Sequence, residues 1–381
     1  MKTLCHLIRL LLLAKAIVPA DALASRSSNK QKKSKSSSTG GGGGFGAAAA
    51  SSKAKKDVPA YIPDNSESAQ NLVTALMEEE CEGTGREGGT EVGFHGRTGM
   101  RGLFTAEDFQ PGEFLLGIPF PCCLALSNDN IVVEEASDAE LGRRLLEHLN
   151  NNNRNNNNNE KVGQSFLRAY FQSLPTRKQH FDATPDFWKD DDIDLLEFPP
   201  LVEKMKLRKQ QIQELAKTEQ LDLEELQFAT WLVKSRGFTL LKPTEKAIIS
   251  KTVLMPYLDM VNHATENPNA ELQALETKVE DDSFYALQAL RPISKGKEIT
   301  ISYGTGKDTS VELLSNYGFV PAVNQNDAAM MKEQQYQDIV WNTSLKDDEQ
   351  QLSELLDGDN AVLKTILQFR IRMKRAAISK N

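Results

Sequence analysis

Cysteine is scarce in this chain: Cys5, Cys81, Cys122 and Cys123 are the only four among 381 residues. They form no zinc pattern, because the adjacent Cys122 and Cys123 cannot chelate as a CxxC pair does, and no disulfide framework follows from their spacing. In "GIPFPCCLAL" the two read as small apolar strand residues. Also missing, beyond the first two dozen residues, is any apolar run long enough to span a bilayer, so stable membrane insertion is not expected. Positive charge is short in the body of the chain. Residues 25 to 56 hold eight Lys or Arg and no carboxylate, but from Asp57 onward 34 basic residues face 52 acidic ones, a net of −18 hidden beneath the overall −8. Such a body lacks the positive face that displaces counterions from a duplex; it argues against a nucleic-acid partner and suits a basic peptide.

What is present begins with a leader. "MKTLCHLIRLLLLAKAIVPADALA", residues 1–24, has a basic start, an apolar middle and Ala22-Leu23-Ala24 as a small-x-small cleavage site, the pattern of a signal peptide. Residues 25–57, rich in Ser, Gly, Ala and Lys, have too little apolar surface to offset chain entropy and are expected to be disordered. Behind a signal peptide this composition resembles the second part of a plastid-targeting leader. The localisation it implies is a plastid or another organelle on the secretory route, or cytoplasm or nucleus if the leader does not function. A second biased tract, the Asn-rich 150–159, reads as an insertion in a surface loop, which a fold tolerates because closure entropy grows only logarithmically with length.

The remainder, with 39% hydrophobic and 26% charged residues, has the composition of a soluble globular protein. Residues 99–120 read as strand, Pro111-Gly112 turn, strand. From 126 to about 250 the chain reads mostly helical, and "LDLEELQFATWLVKSRGF" offers Asp222 as N-cap, Glu225 at the capping-box position and Gly237 as a stop. "SFYALQALRPISKGKEITISYG" gives two strands around Lys295-Gly296, with Ile299, Ile301 and Tyr303 on one face by the period of two. Thr309 and Glu312 then cap a short helix ending near Tyr317-Gly318, and helical character continues beyond 323. The expectation is an α+β fold: a sheet-rich core over 58–323, interrupted by a helical insertion, followed by a short helical segment over 324–381.

Five motifs occur in order: "RGLFTAEDFQPGEFLLGIP", "SRGF", "LDMVNH", "GKEITISYG" and "LLSNYGF". With them the chain resembles the SET-domain protein methyltransferases of the Rubisco large-subunit lysine methyltransferase branch, from about Gly93 to Pro321. The resemblance implies small β-sheets with a knot-like crossing, in which the strand ending at Asn262 and His263 lies beside the segment carrying Tyr303. It implies S-adenosylmethionine as cofactor and no metal. Carried over, Arg101, Asp259, Asn262, His263 and Phe319 are cofactor residues, and Arg236 approaches the cofactor carboxylate. A guanidinium forks onto a carboxylate, although at a helix end it equally serves as a capping cation.

Tyr303 matches the tyrosine that the family places beside the transferred methyl. At an ordinary value near ~10 its phenol is a poor general base, so orientation is its expected role, with water taking the proton. Phe238 and Tyr317 are the expected substrate contacts: an apolar ring suits an alkyl-ammonium stem better than an imidazole, while core packing explains Tyr317 almost as well. The function implied is protein-lysine N-methylation of a non-histone protein with an exposed lysine, by a chain acting as a monomer. Two alternatives stay open. One is a histidine-directed enzyme; the other is a SET-like binding module without catalysis, motivated by Ser310-Val311 and Gly99 where the family has other residues.

Overall fold

The computed structural model describes residues 59–79, 81–126, 137–154, 165–177, 184–243, 248–276, 283–304, 306–355 and 360–379. The signal peptide with Cys5, the basic leader, and residues 155–159 of the Asn-rich tract lie outside them; residues 150–154 finish a helix. The chain divides into Met1–Ala60 and Tyr61–Asn381; only residues 59 and 60 of the first unit are described, and every described strand and helix belongs to the second.

The strands are β1 (Tyr61–Pro63), β2 (Thr90–His95), β3 (Arg101–Thr105), β4 (Phe114–Pro119), β5 (Leu124–Ala125), β6 (Gly237–Pro243), β7 (Ile248–Leu254), β8 (Asn262–His263), β9 (Ala270–Leu275), β10 (Phe284–Ala289) and β11 (Thr300–Ile301). The helices are α1 (Glu67–Glu78), α2 (Asp138–Arg154), α3 (Ser165–Ser173), α4 (Asp190–Asp194), α5 (Pro199–Glu219), α6 (Leu223–Arg236), α7 (Ser310–Tyr317), α8 (Gln325–Met330), α9 (Leu345–Glu354) and α10 (Ala361–Ile378). The strands make four small sheets, ordered β1-β2-β3, β4-β10-β9, β11-β8 and β5-β7-β6, with helices between and after them, so the α+β expectation holds.

The strand–turn–strand reading of 99–120 holds, but β3 and β4 join different sheets, β3 beside β2 and β4 beside β10. Gly112, at φ 87°, sits in the turn between them and ties its N–H to Ala289 O at 2.8 Å. The helical block is shorter than expected. It stops at Arg236, and β6 and β7 follow as an antiparallel pair, from Gly237–Leu254 to Pro243–Ile248. The β-branched residues of "AIISKTVL" win over the helical pattern before them. Asp222 does cap α6, accepting from Glu225 N at 2.9 Å. The Cys pair is not in a strand either. β4 ends at Pro119, and Cys122 closes a 3-10 turn, buried in the main core, as is Cys81.

That core gathers Leu103, Leu116, Ile118, Tyr170, Leu254, Tyr257, Ile299 and Ile301 from the sheets and α3. A second cluster joins Trp188, Phe198 and Met205 of the insertion to Leu314 and to Ile366, Phe369 and Met373 of α10. The helical tail therefore shares apolar surface with the insertion. Within the tail the buried Asp348 receives Arg370 and Lys374.

Parallel pairing of β8 with β11 positions the site. Asn262 lies opposite Thr300 and His263 opposite Ile301, although 36 residues separate the two strands' ends in sequence. Reaching β8 requires a sharp bend: Tyr257, fully buried, takes φ 71°, a conformation costing about 1–3 kcal/mol for a residue with a side chain. Its hydroxyl meets that strain by accepting from Gly85 N at 3.1 Å and lying 3.2 Å from Thr90 Oγ1. The bend delivers the 3-10 turn Leu258–Met260, which carries Asp259, and then β8 itself.

Candidate active site

A cavity of about 450 Å³, within the ordinary range of ligand pockets, lies where α6, the 258–263 segment and the stretch after α7 meet. Arg101, Arg236, Asp259, Asn262, His263, Tyr303, Tyr317 and Phe319 all line it, so residues spread over more than 200 positions converge. Phe238 is not among its lining. It lies on β6 opposite Val253 and packs against the main core, so the structure does not bring this expected substrate contact to the cavity.

Several expected cofactor residues also hold one another. Asn262 donates from Nδ2 to Arg101 O at 2.9 Å and to Glu298 Oε1 at 2.7 Å, leaving Oδ1 as its remaining side-chain contact. Gly102 makes room for this tie: a Cβ there would stand 2.7 Å from Asn262 Nδ2 and 2.8 Å from Glu298 Oε1. Arg101 reaches Asp64 through Nε at 2.8 Å and Ser173 O through Nη1 at 3.0 Å. Burial pushes the Asp64 carboxyl up, but bonds from Ser66 and the Arg101 charge outweigh it and hold the group below the usual range.

Arg236 donates to Asp259 Oδ2 at 3.2 Å, and the buried Tyr170 hydroxyl donates to the same oxygen at 2.8 Å. Asp259 is thus first the anchor of Arg236, its own side chain wholly buried. Its other oxygen, Oδ1, has no hydrogen-bond partner. Burial raises the Asp259 carboxyl, opposed by the guanidinium beside it.

His263 accepts the Tyr303 backbone N–H at Nδ1, 2.9 Å away, which puts its proton on Nε2, 3.0 Å from Thr265 Oγ1. The Tyr303 hydroxyl donates to Val261 O at 2.7 Å, so its oxygen keeps lone pairs for an incoming donor. Around it the rings crowd: Tyr317 at 4.6 Å, His263 at 5.1 Å, and Phe319 at 5.7 Å from His263. Burial raises the Tyr303 phenol above its ordinary value and pushes Tyr317 up to about 12.

Burial lowers the His263 pKa, and this carries a prediction. Below the unfolded value near ~6.5 the unfolded chain takes up a proton that the folded imidazole refuses, so stability present above that pH is lost as pH falls toward the lower folded value. A His263→Asn variant lacks this term. Urea denaturation should show wild type losing more stability than the variant between about pH 7 and 5, by at most ~1.4 kcal/mol per pH unit. Equal losses would contradict a half-buried His263 held neutral.

Sequence reasoning missed Met100, Trp231, Ser235, Met260 and Val320 in the lining. Ser235 is the first residue of the "SRGF" motif itself, and Trp231 lies four residues before it on α6, so extending the motif one turn back along its helix face would have found it. Tyr170, Glu298 and Asp64 had no local signal; their role exists only in contacts across the fold.

The donor set fits a ligand with a carboxylate, a cation and a flat base. Arg236 faces the first, the rings of Tyr303 and Tyr317 suit the second, and Phe319 suits the third. The SET domain family model matches residues 100–304, more than half of the chain, and the chain belongs to the SET-domain family. Among solved structures it is similar to the SET domain of LSMT bound to lysine and AdoHcy, with a TM-score of 0.60 and 14% identity over 83% of this chain and 90% of that one. The same domain bound to methyl-lysine and AdoHcy gives 0.57 and 16% over 82% and 90%, and Rubisco LSMT bound to AdoMet gives 0.55 and 14% over the same shares. The shared fold is that of the LSMT SET domains. A comparison with curated protein sequences finds no match.

Proposed function

We propose that the chain is an S-adenosylmethionine-dependent protein-lysine N-methyltransferase. The observation that carries this reading is the Tyr303 oxygen, its proton committed to Val261 O and its residue held through the backbone N–H by His263 Nδ1, an acceptor among aromatic rings in the same cavity as Arg236. The LSMT structures bound to lysine and methyl-lysine support lysine as the acceptor, and the Rubisco in that protein's name supports a non-histone substrate.

S-adenosylmethionine, when bound, supplies a methyl group on a cationic sulfur. Arg236, anchored by Asp259, would hold its carboxylate end and Phe319 its base. The Tyr303 oxygen orients the amine by accepting an N–H, and the surrounding rings exclude water. A lysine near ~10.4 is protonated at neutral pH, so a desolvated aromatic site beside a positive charge must favour the neutral amine. Burial pushes the Tyr303 phenol above its ordinary value, so it takes no proton at neutral pH and the proton leaves to water.

Labelled S-adenosylmethionine, the full chain and an extract of source cells, followed by peptide mass spectrometry, test the reading. Methyllysine is the expected product; methylhistidine in its place overturns the choice of acceptor. A folded chain that gives no calorimetric signal with S-adenosylhomocysteine overturns the enzyme reading and favours a binding module.

A further inference from the structure

Two helix ends contribute to the cavity lining: α6 finishes in Ser235 and Arg236, and α7 finishes in Tyr317, with Phe319 following. Both ends are held by one charge cluster outside that lining. Arg208, in the middle of α5 and only 4% exposed, donates from Nη1 to Ser315 O at 2.7 Å and from Nη2 to Asn316 Oδ1 at 3.4 Å. Ser315 O belongs to the last turn of α7, where carbonyls lack partners within the helix. The Nε side of the same guanidinium pairs with Asp138 Oδ2 at 3.2 Å. Asp138 Oδ1 in turn pairs with Lys234 Nζ at 3.2 Å, and Lys234 stands two residues before Arg236. Lys204, one turn before Arg208 on α5, adds a bond to Ser315 Oγ at 2.9 Å.

The placement is electrostatically consistent: Asp138 lies in the first turn of α2, where a helix favours negative charge, and the cations meet the final turns of α6 and α7. Stability is a poor explanation for it. A buried arginine with its carboxylates is often no better than apolar residues of the same volume. Here Asp186, whose Oδ1 accepts from Arg208 at 3.0 Å, keeps a buried Oδ2 without a hydrogen-bond partner. What the cluster supplies is position.

We infer that Arg208 and Asp138 are positioning residues that set the separation between the α6 and α7 walls of the cavity, through Lys234 on one side and Ser315 on the other. The inference rests on the proposed reading of the cavity as the cofactor site. It connects the helical insertion to that site, since α2 and α5 contribute none of the cavity's lining yet fix two of its walls.

Asp138→Asn and, separately, Lys234→Met in the full chain test it, with S-adenosylhomocysteine titrated by calorimetry and amide hydrogen exchange followed without ligand. Loosening a wall is expected to weaken binding roughly tenfold, the usual size of a coupling carried through a packed network. Exchange should quicken in residues 231–236 and 313–319 together, at little change in melting temperature. Unchanged affinity with unchanged exchange overturns the inference. So does faster exchange confined to the wall whose own contact was removed, or a global loss of protection in both variants. If wild type binds no S-adenosylhomocysteine, the cofactor reading fails by itself, and the exchange data alone decide: coupled quickening supports the positioning role and its absence overturns it.

Discussion

Tyr303→Phe is expected to lower the turnover of methyl transfer roughly 100-fold or more, the loss typical of removing one preorganised polar group from a reacting centre. The variant should fold and bind cofactor much as wild type does. Its ring keeps its place 4.6 Å from Tyr317 and 5.1 Å from His263, and its backbone N–H still reaches His263 Nδ1 at 2.9 Å. Only the oxygen goes. Val261 O then lacks its donor at 2.7 Å, a cost of about 1 kcal/mol that denaturation would register as a small shift. The effect on rate is larger because that oxygen, its own proton committed to Val261, is the acceptor that aligns the amine. Burial raises the phenol, so it never served as base at neutral pH, and the residual activity should keep the wild-type pH profile. Single-turnover rates, cofactor titration and a pH series on an identified substrate separate these effects. Full multi-turnover activity in the variant would remove Tyr303 from its assigned role, and a changed pH profile would restore the base that burial argues against.

Much of this site was legible because its motifs are local even though the site is not. "LDMVNH" and "GKEITISYG" each carry a short strand and its polar residues, and the family resemblance placed the Asn262-His263 strand beside the segment carrying Tyr303; the parallel register of Asn262 with Thr300 comes from the structure. The caps of α6 and α7 were readable for the same local reason: Asp222 and Thr309 act within three residues of themselves. The pair of β6 and β7 was not, because its strands follow a long helical run and are stabilised by pairing with each other and with β5. Phe238 shows the limit of motif transfer. Two residues after Arg236 in sequence, it lies in β6 and outside the cavity lining. The support of Asp259 was invisible for a deeper reason. Tyr170 lies 89 residues away, and nothing in "SFLRAYFQSLP" marks one hydroxyl as the partner of one carboxylate. The insertion's grip on Ser315 is the same kind of fact.

Arg236→Met should have the largest effect on the folded state itself. Arg236 has two relations, one to the buried Asp259 at 3.2 Å and one to the cavity, and removing the guanidinium breaks both. Asp259 would keep Tyr170 on Oδ2 but lose its countercharge, with Oδ1 already without a hydrogen-bond partner. Stranding a buried carboxylate in this way costs about 3–5 kcal/mol when the partner alone is removed. Urea denaturation should show that loss, and cofactor binding should fall below detection. Adding Asp259→Asn removes the stranded charge, so the double variant is expected to regain much of the stability. Binding is not expected to return, since the amide offers nothing to a ligand carboxylate that has lost its guanidinium. Stability restored without binding assigns both roles to Arg236. Binding restored with stability would show that Arg236 serves only to keep Asp259 in place, and no recovery of either would mean that Asp259 is not the group left stranded.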